Sequence, residues 1–329
     1  MKYQPSAERY DKMQYKYCGN SGLLLPRISL GLWHNFGSVD DFGVATDMIK
    51  YAFDNGVTHF DLANNYGPSY GSAEETFGQI MKSSFAPYRD ELFISTKAGH
   101  DMWPGPYGNW GSRKHLMASL DQSLKRMNLD YVDVFYSHRY DPETPLEETL
   151  QALVDIVRKG KALYVGLSKY PLDAYLFASR YLKERDVPCL LYQGRYSMLV
   201  REPESQGILN AVKENGSGFV AFSPLAQGLL TNRYLNGIPD NSRIARGGFL
   251  KKEALTPEVL SKIQALNERA AMRGQSLAEM ALAWLLKNET VTSVIVGASS
   301  VEQLGDSLKT LNHLSFEEEE LHAIEKILM

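Results

Sequence analysis

Cysteine is nearly missing from this sequence: Cys18 and Cys189 are the only two in 329 residues. That is too few for a disulfide framework, and the spacing suits no metal site. Long apolar runs are missing as well. Nothing approaches the roughly 18 consecutive apolar residues that a bilayer-spanning helix needs, so no membrane is expected as a partner. The first fifteen residues, MKYQPSAERYDKMQY, hold no apolar core of the kind a secretory leader carries, and the chain is expected in the cytoplasm. An excess of basic residues is also absent: 35 Lys+Arg against 39 Asp+Glu give a formal net charge of −4, which argues against nucleic acid as a partner. No His/Asp cluster offers the ligands of a metal-dependent hydrolase, and no G-x-G-x-x-G follows a strand pattern.

What is present is an ordinary globular composition, 44% hydrophobic and 22% charged, arranged in a strict alternation. β-rich runs occur at about 28–33, 57–63, 92–97, 131–137, 162–168, 188–193, 218–223 and 291–296, and most are separated by stretches with apolar residues at helical spacing. Gly56, Gly160 and Gly216 close helices; Pro145, Pro171 and Ser300 open them. Eight βα repeats without a linker predict an α/β chain folded as one (β/α)8 TIM barrel over residues 1–329, since an open doubly wound sheet would more often carry fewer strands and a domain break. Three features lie outside the repeat. Gly19-Asn20-Ser21-Gly22 reads as the turn of an N-terminal hairpin that plugs the barrel floor with Leu23–Leu25. A long connection occupies 224–255, before a helical region at 256–288, and an acidic extra helix, FEEEELHAIEKIL, ends the chain.

Three of the strand runs end in titratable groups. THFDLANNY carries Asp61 and then Tyr66, ELFISTKAG carries Lys97, and YVDVFYSHR carries His138. Parallel neighbouring strands present their C-terminal ends to one rim, so the four side chains converge there. A tyrosine with its usual pKa of ~10 is a poor acid–base catalyst at neutral pH. A nearby ammonium, a carboxylate to hold it and an imidazole to orient the proton would tune it, and the set supplies one of each. Taken singly, such residues are more often caps or solvated groups. Their convergence points to a proton-transfer site.

HFDLANNYG, STKAG and FYSHR resemble signature segments of the aldo-keto reductases, and the likeness runs from GLWHNFG to VIVGASSVEQL. The resemblance implies a metal-free barrel that reduces aldehydes and ketones with NADPH and needs no G-x-G-x-x-G. It gives Tyr66 the role of proton donor, with Lys97 lowering its pKa, Asp61 paired to Lys97, and His138 orienting the carbonyl. It places Trp33 at the edge of the nicotinamide and substrate pockets, Ser168 and Gln193 on the carboxamide, and Phe222 on the ring. Ser223, Leu225, Gln227 and Arg233 follow along the pyrophosphate. Ser299, Gln303 and Ser307 fall at the start of the last helix, and Arg243 on the 2′-phosphate. WPGPYGNWG (103–111) reads as a lid or pocket wall, because its prolines remove the donors that a phosphate cradle needs.

Within that family the chain resembles the branch holding bacterial L-glyceraldehyde 3-phosphate reductases and potassium-channel β-subunits. The resemblance implies small aldehyde substrates, L-glyceraldehyde 3-phosphate or methylglyoxal among them, a role in methylglyoxal detoxification, and a homo-oligomer, tetramer or octamer. Channel subunits carry Asn where this chain has His138, so the intact tetrad favours an enzyme over the alternative, an NADPH-binding redox-sensing subunit. Lys169 departs from the Asn found in many relatives and puts one carboxamide contact in doubt. Arg139, with Arg113 or Lys114, is the expected partner of an anionic substrate group; surface salt bridging is their other reading.

Overall fold

The computed structural model describes residues 3–235, 237–239 and 250–329. An antiparallel hairpin comes first, β1 (Tyr15–Tyr17) and β2 (Leu24–Pro26). Eight parallel strands follow: β3 (Ile28–Gly31), β4 (His59–Asp61), β5 (Phe93–Ala98), β6 (Val132–Ser137), β7 (Ala162–Ser168), β8 (Cys189–Arg195), β9 (Gly218–Phe222) and β10 (Val291–Val296). They close into a barrel in chain order, β10 pairing with both β9 and β3. The alternating α/β pattern thus forms the TIM barrel that the sequence implies, each strand within a few residues of its β-rich run.

Strand alternation sorts the side chains into two cores. Phe93, Val134, Tyr136, Leu191, Val220 and Ile295 fill the barrel interior. The opposite faces, Ile94 and Phe135 among them, pack against the helices. Cys18 and Leu25 of the hairpin join the interior cluster with no exposed surface, and Asn20 N–H donates to Gly216 O just before β9 begins. The hairpin therefore sits at the N-terminal end of the barrel, as the apolar flank Leu23–Leu25 suggests. Gly19 is required for that approach: its φ is +52°, and a Cβ there would lie 2.0 Å from Gly216 O. Gly56, Gly160 and Gly216 adopt positive φ after their helices, and Pro145, Pro171 and Ser300 stand at N-cap positions.

The region 256–288 is not one helix. It divides into Pro257–Met272 and Leu277–Leu286, broken at Gly274 (φ +67°) and restarted by Ser276, whose hydroxyl accepts from Glu279 N–H. Apolar spacing continues through both halves and hides the break. The described part of 224–255 holds short turns at Ala226–Gly228, Asn232–Tyr234 and Lys252–Ala254. A capping box formed by Glu317 and Glu320 starts the C-terminal helix Glu318–Leu328. Among the described residues no helix is long and apolar enough to cross a membrane.

Candidate active site

β4, β5 and β6 run side by side with Asp61 opposite Ser95 and Lys97 opposite Tyr136. Phe93, Ser95 and Lys97 share one face of β5 by alternation, so the lysine follows an aromatic and a serine into the barrel mouth. Its ammonium is fully buried and donates to three oxygens: Asp61 Oδ2 at 2.6 Å, Leu62 O at 2.5 Å and Tyr66 Oη at 3.3 Å. A turn after β4 brings Tyr66 back over the lysine, its N–H bonded to Ala63 O. His138 follows β6, its N–H bonded to Ala98 O. The His138 ring stands edge-on to Tyr66 at 6.0 Å and to His100 at 4.5 Å, and Trp33 lies 6.3 Å from Tyr66. The structure thus brings Asp61, Tyr66, Lys97, His138 and Trp33 to one pocket.

Burial pushes the Tyr66 phenol well above its ordinary pKa, and the Asp61 charge adds to the rise. Burial lowers the Lys97 ammonium, opposed by Asp61. The sequence reading has Lys97 lowering the phenol; in the folded protein burial and Asp61 both act to raise it, which favours the protonated phenol. What Lys97 does supply is an N–H aimed at Tyr66 Oη, which stabilises the oxygen as a proton leaves it. His138 is held well below its usual value, first by burial and then by the Lys97 and Lys169 charges. It is a neutral imidazole whose Nδ1 is buried without a partner among the described residues.

Sequence reasoning missed what stands behind this group. Asp61 Oδ1 accepts from Ser95 Oγ at 2.7 Å and from Gln193 Nε2 at 3.0 Å. Ser95 Oγ in turn lies 3.0 Å from His59 Nε2, His59 Nδ1 lies 2.8 Å from Ser29 Oγ, and Ser29 Oγ lies 2.7 Å from Ser293 Oγ. All are buried. Polar residues at inward positions of otherwise apolar strands were the available signal.

Several of the described residues proposed for a cofactor lie at the same end. Ser168 ends β7 opposite Gln193, with its hydroxyl buried and unpartnered among the described residues. Phe222 ends β9 half-buried against the interior core. Ser223 and Gln227 have φ of +52° and +59°. Leu225 is half-buried, and Arg233 N–H donates to Thr231 Oγ1. Ser299 bonds Gln303 Oε1 through both its N–H and hydroxyl, at the N-terminus of helix Val301–Leu308. Ser307 is placed differently from the expectation. It lies near the far end of that helix, bonded to Gln303 O, and a further helix follows; its spacing of four from Gln303 puts it on the same face one turn on. Arg243 lies outside the described residues.

The basic residues divide. Arg113 pairs with Asp155 at 2.5 Å, and Lys114 faces the Tyr107 ring at 5.1 Å, so neither joins Arg139. Arg139 stacks on Trp110 at 3.6 Å and donates to Gly99 O and Asn109 Oδ1, both at 2.7 Å. One of its nitrogens and the stack on Trp110 therefore hold the 103–111 segment as a wall beside His138, and a second nitrogen ties the side chain to Gly99 just after β5. Lys169, by contrast, reaches His100 Nε2 at 3.1 Å. Both side-chain polar atoms of Asn64 are buried without partners among the described residues.

A family model described as the aldo/keto reductase family matches residues 27–329. The chain is 56% identical over 331 residues to the L-glyceraldehyde 3-phosphate reductase of Escherichia coli O157:H7, covering 99% of this chain and 95% of that one. It is 55% identical, with the same coverage, to the L-glyceraldehyde 3-phosphate reductase of Escherichia coli strain K12. A probable voltage-gated potassium channel subunit beta of Arabidopsis thaliana is 37% identical over 306 residues, 91% of this chain and 92% of its own.

Proposed function

Because the chain belongs to the aldo/keto reductase family and is an oxidoreductase, we propose that it reduces small aldehydes with NADPH, Tyr66 supplying the proton. L-Glyceraldehyde 3-phosphate, which the relatives' descriptions name, and methylglyoxal are the substrates of this proposal. Residues 1–329 act as one barrel domain in this reading. The observation that carries it is the buried chain Asp61–Lys97–Tyr66, at 2.6 and 3.3 Å, facing a neutral His138.

The residues around the barrel exit fit a nicotinamide dinucleotide. The unpartnered Ser168 hydroxyl beside Gln193 suits a carboxamide, and the Phe222 ring can lie against a planar head group. The connection from Ser223 through Leu225, Gln227 and Arg233 suits a diphosphate. Ser299 and Gln303 stand at the N-terminus of helix Val301–Leu308, where the helix dipole favours an anion, the Ser299 N–H being given to Gln303 Oε1 and the Gln303 N–H to Ser300 Oγ, with Ser307 one turn behind. Arg243 is the proposed partner of the 2′-phosphate, and Arg243→Ala should weaken NADPH more than NADH; equal weakening would remove the assignment. When bound, the reduced nicotinamide supplies a hydride to the carbonyl carbon.

Tyr66 then donates its proton to the carbonyl oxygen, which becomes the hydroxyl of the product alcohol. Lys97 holds the resulting phenolate through its N–H, and Asp61 keeps Lys97 charged in a site where burial works against the charge. His138, uncharged, can hydrogen-bond the carbonyl oxygen and set its direction toward Tyr66. Trp33 and the wall fixed by Arg139 frame the substrate and exclude water. The test is NADPH oxidation across glyceraldehyde 3-phosphate, glyceraldehyde, methylglyoxal and 4-nitrobenzaldehyde. Turnover of at least one is expected, and none with any of them would overturn the reading.

A further inference from the structure

Lys169 stands in an uncommon place. It follows β7 directly with φ +57°, a left-handed conformation that Asn adopts far more readily than Lys. Its N–H is fixed to Gln193 O, and its side chain crosses the rim to His100, which follows β5. The Lys169–His100 bond therefore spans from the exit of β7 to the exit of β5, past the exit of β6 that His138 follows. Since Nζ donates to His100 Nε2, the neutral His100 ring carries its proton on Nδ1. One ammonium proton is thereby spent, and among the described residues the other two meet no acceptor.

The charges acting on this lysine are of its own sign. Burial, then Lys97 and Arg139, bring it down to about 8, and His100 is lowered to about 4 by burial, Lys169 and Arg139. Among the described residues no carboxylate lies within ion-pair distance of Lys169. Backbone conformations of this cost persist where the surroundings or a function offset them. Arg139, the cation expected from sequence to meet a substrate anion, has two nitrogens committed to Gly99 O and Asn109 Oδ1.

We propose that Lys169, steadied by His100, is the anion-recognition group of the substrate pocket, taking the terminal phosphate of a short aldehyde whose carbonyl sits at Tyr66 and His138. The inference rests on the aldehyde-reductase reading. An oxyanion at Lys169 would accept the remaining ammonium protons and relieve the repulsion among Lys169, Lys97 and Arg139. Glyceraldehyde and its 3-phosphate, which share the carbonyl and differ in the anion, form the natural pair of probes. Lys169 is a specificity residue in this account and takes no part in proton transfer.

The experiment compares wild type with Lys169→Met and Lys169→Arg, reading the ratio of kcat/KM for glyceraldehyde 3-phosphate to that for glyceraldehyde. Inhibition of glyceraldehyde reduction by inorganic phosphate is read in the same proteins. Lys169→Met should lower the ratio about tenfold to a hundredfold and weaken phosphate inhibition by a similar factor, and Lys169→Arg should retain most of both. An unchanged ratio in Lys169→Met, or equal losses on the two aldehydes, would overturn the proposal. So would a wild type that reduces glyceraldehyde without favouring its phosphate, a result that leaves the reductase reading standing. A wild type inactive on every aldehyde would overturn both.

Discussion

Ser95 Oγ donates to Asp61 Oδ1 at 2.7 Å, and that bond sets the direction of every hydrogen bond behind it. A serine has one proton to give. Having given it to a carboxylate, Ser95 must accept from His59 Nε2–H; His59 Nδ1 must then accept from Ser29, and Ser29 from Ser293. His59 is thereby fixed as the neutral Nε2–H tautomer. Ser95→Ala leaves that N–H unpartnered in the barrel interior and should cost about 1–3 kcal/mol of stability, with loss of the single tautomer. Urea denaturation together with nitrogen chemical shifts of the His59 ring would check it; an unaltered stability would mean that water replaces the serine.

The same histidine ties stability to pH. Burial brings His59 down to about 4, the Asp61 and Lys97 charges acting in opposite senses. Above the usual histidine value neither folded nor unfolded chain holds the proton, and the contribution is fully present. Between about 6.5 and 4 the unfolded chain takes a proton that the folded one refuses, so stability falls as the pH drops through this window, by on the order of 3 kcal/mol. His100 shifts in the same direction. His59→Gln should flatten the dependence of the urea midpoint between pH 7 and pH 5; an unchanged slope would show that His59 does not carry it.

The barrel and the tetrad were legible because their signals are local. β-rich runs mark the strands, and an acid, a lysine and a histidine at three successive strand exits can only meet if the strands are parallel neighbours. The network behind Asp61 was not legible. Ser29, Ser95 and Ser293 are ordinary strand residues until register and barrel closure bring β10, β3, β4 and β5 together. Arg139 was read as pointing at substrate because it adjoins His138, whereas its partners depend on the path of 99–110, a loop with no period to read. The phenol was judged by its neighbouring cation, whereas burial, which a sequence does not display, acts to raise it.

Arg139→Ala should therefore act on charged and neutral aldehydes together. It removes the stack on Trp110 and the bonds to Gly99 and Asn109, loosening the wall for every substrate. A loss of at least tenfold in kcat/KM on both glyceraldehyde 3-phosphate and 4-nitrobenzaldehyde is expected. A loss confined to the phosphorylated aldehyde would return the anion to Arg139.

Lys97→Met removes the N–H that holds Tyr66 Oη and leaves Asp61 buried without its cation. Activity should fall severely, and stability by about 3–5 kcal/mol, because the remaining charge is uncompensated. Thermal unfolding and steady-state kinetics of the one variant read both effects. A normal rate with a normal pH profile would break the proposed pairing.

The most direct test of the account is Tyr66→Phe, assayed for NADPH binding by fluorescence and for aldehyde reduction by NADPH oxidation. The substitution removes the hydroxyl at 3.3 Å from Lys97 Nζ and keeps the ring. Binding should stay close to wild type while reduction falls by ~10²–10⁴-fold, the loss of a positioned general acid. Turnover near the wild-type rate would contradict the account and take Tyr66 out of the mechanism.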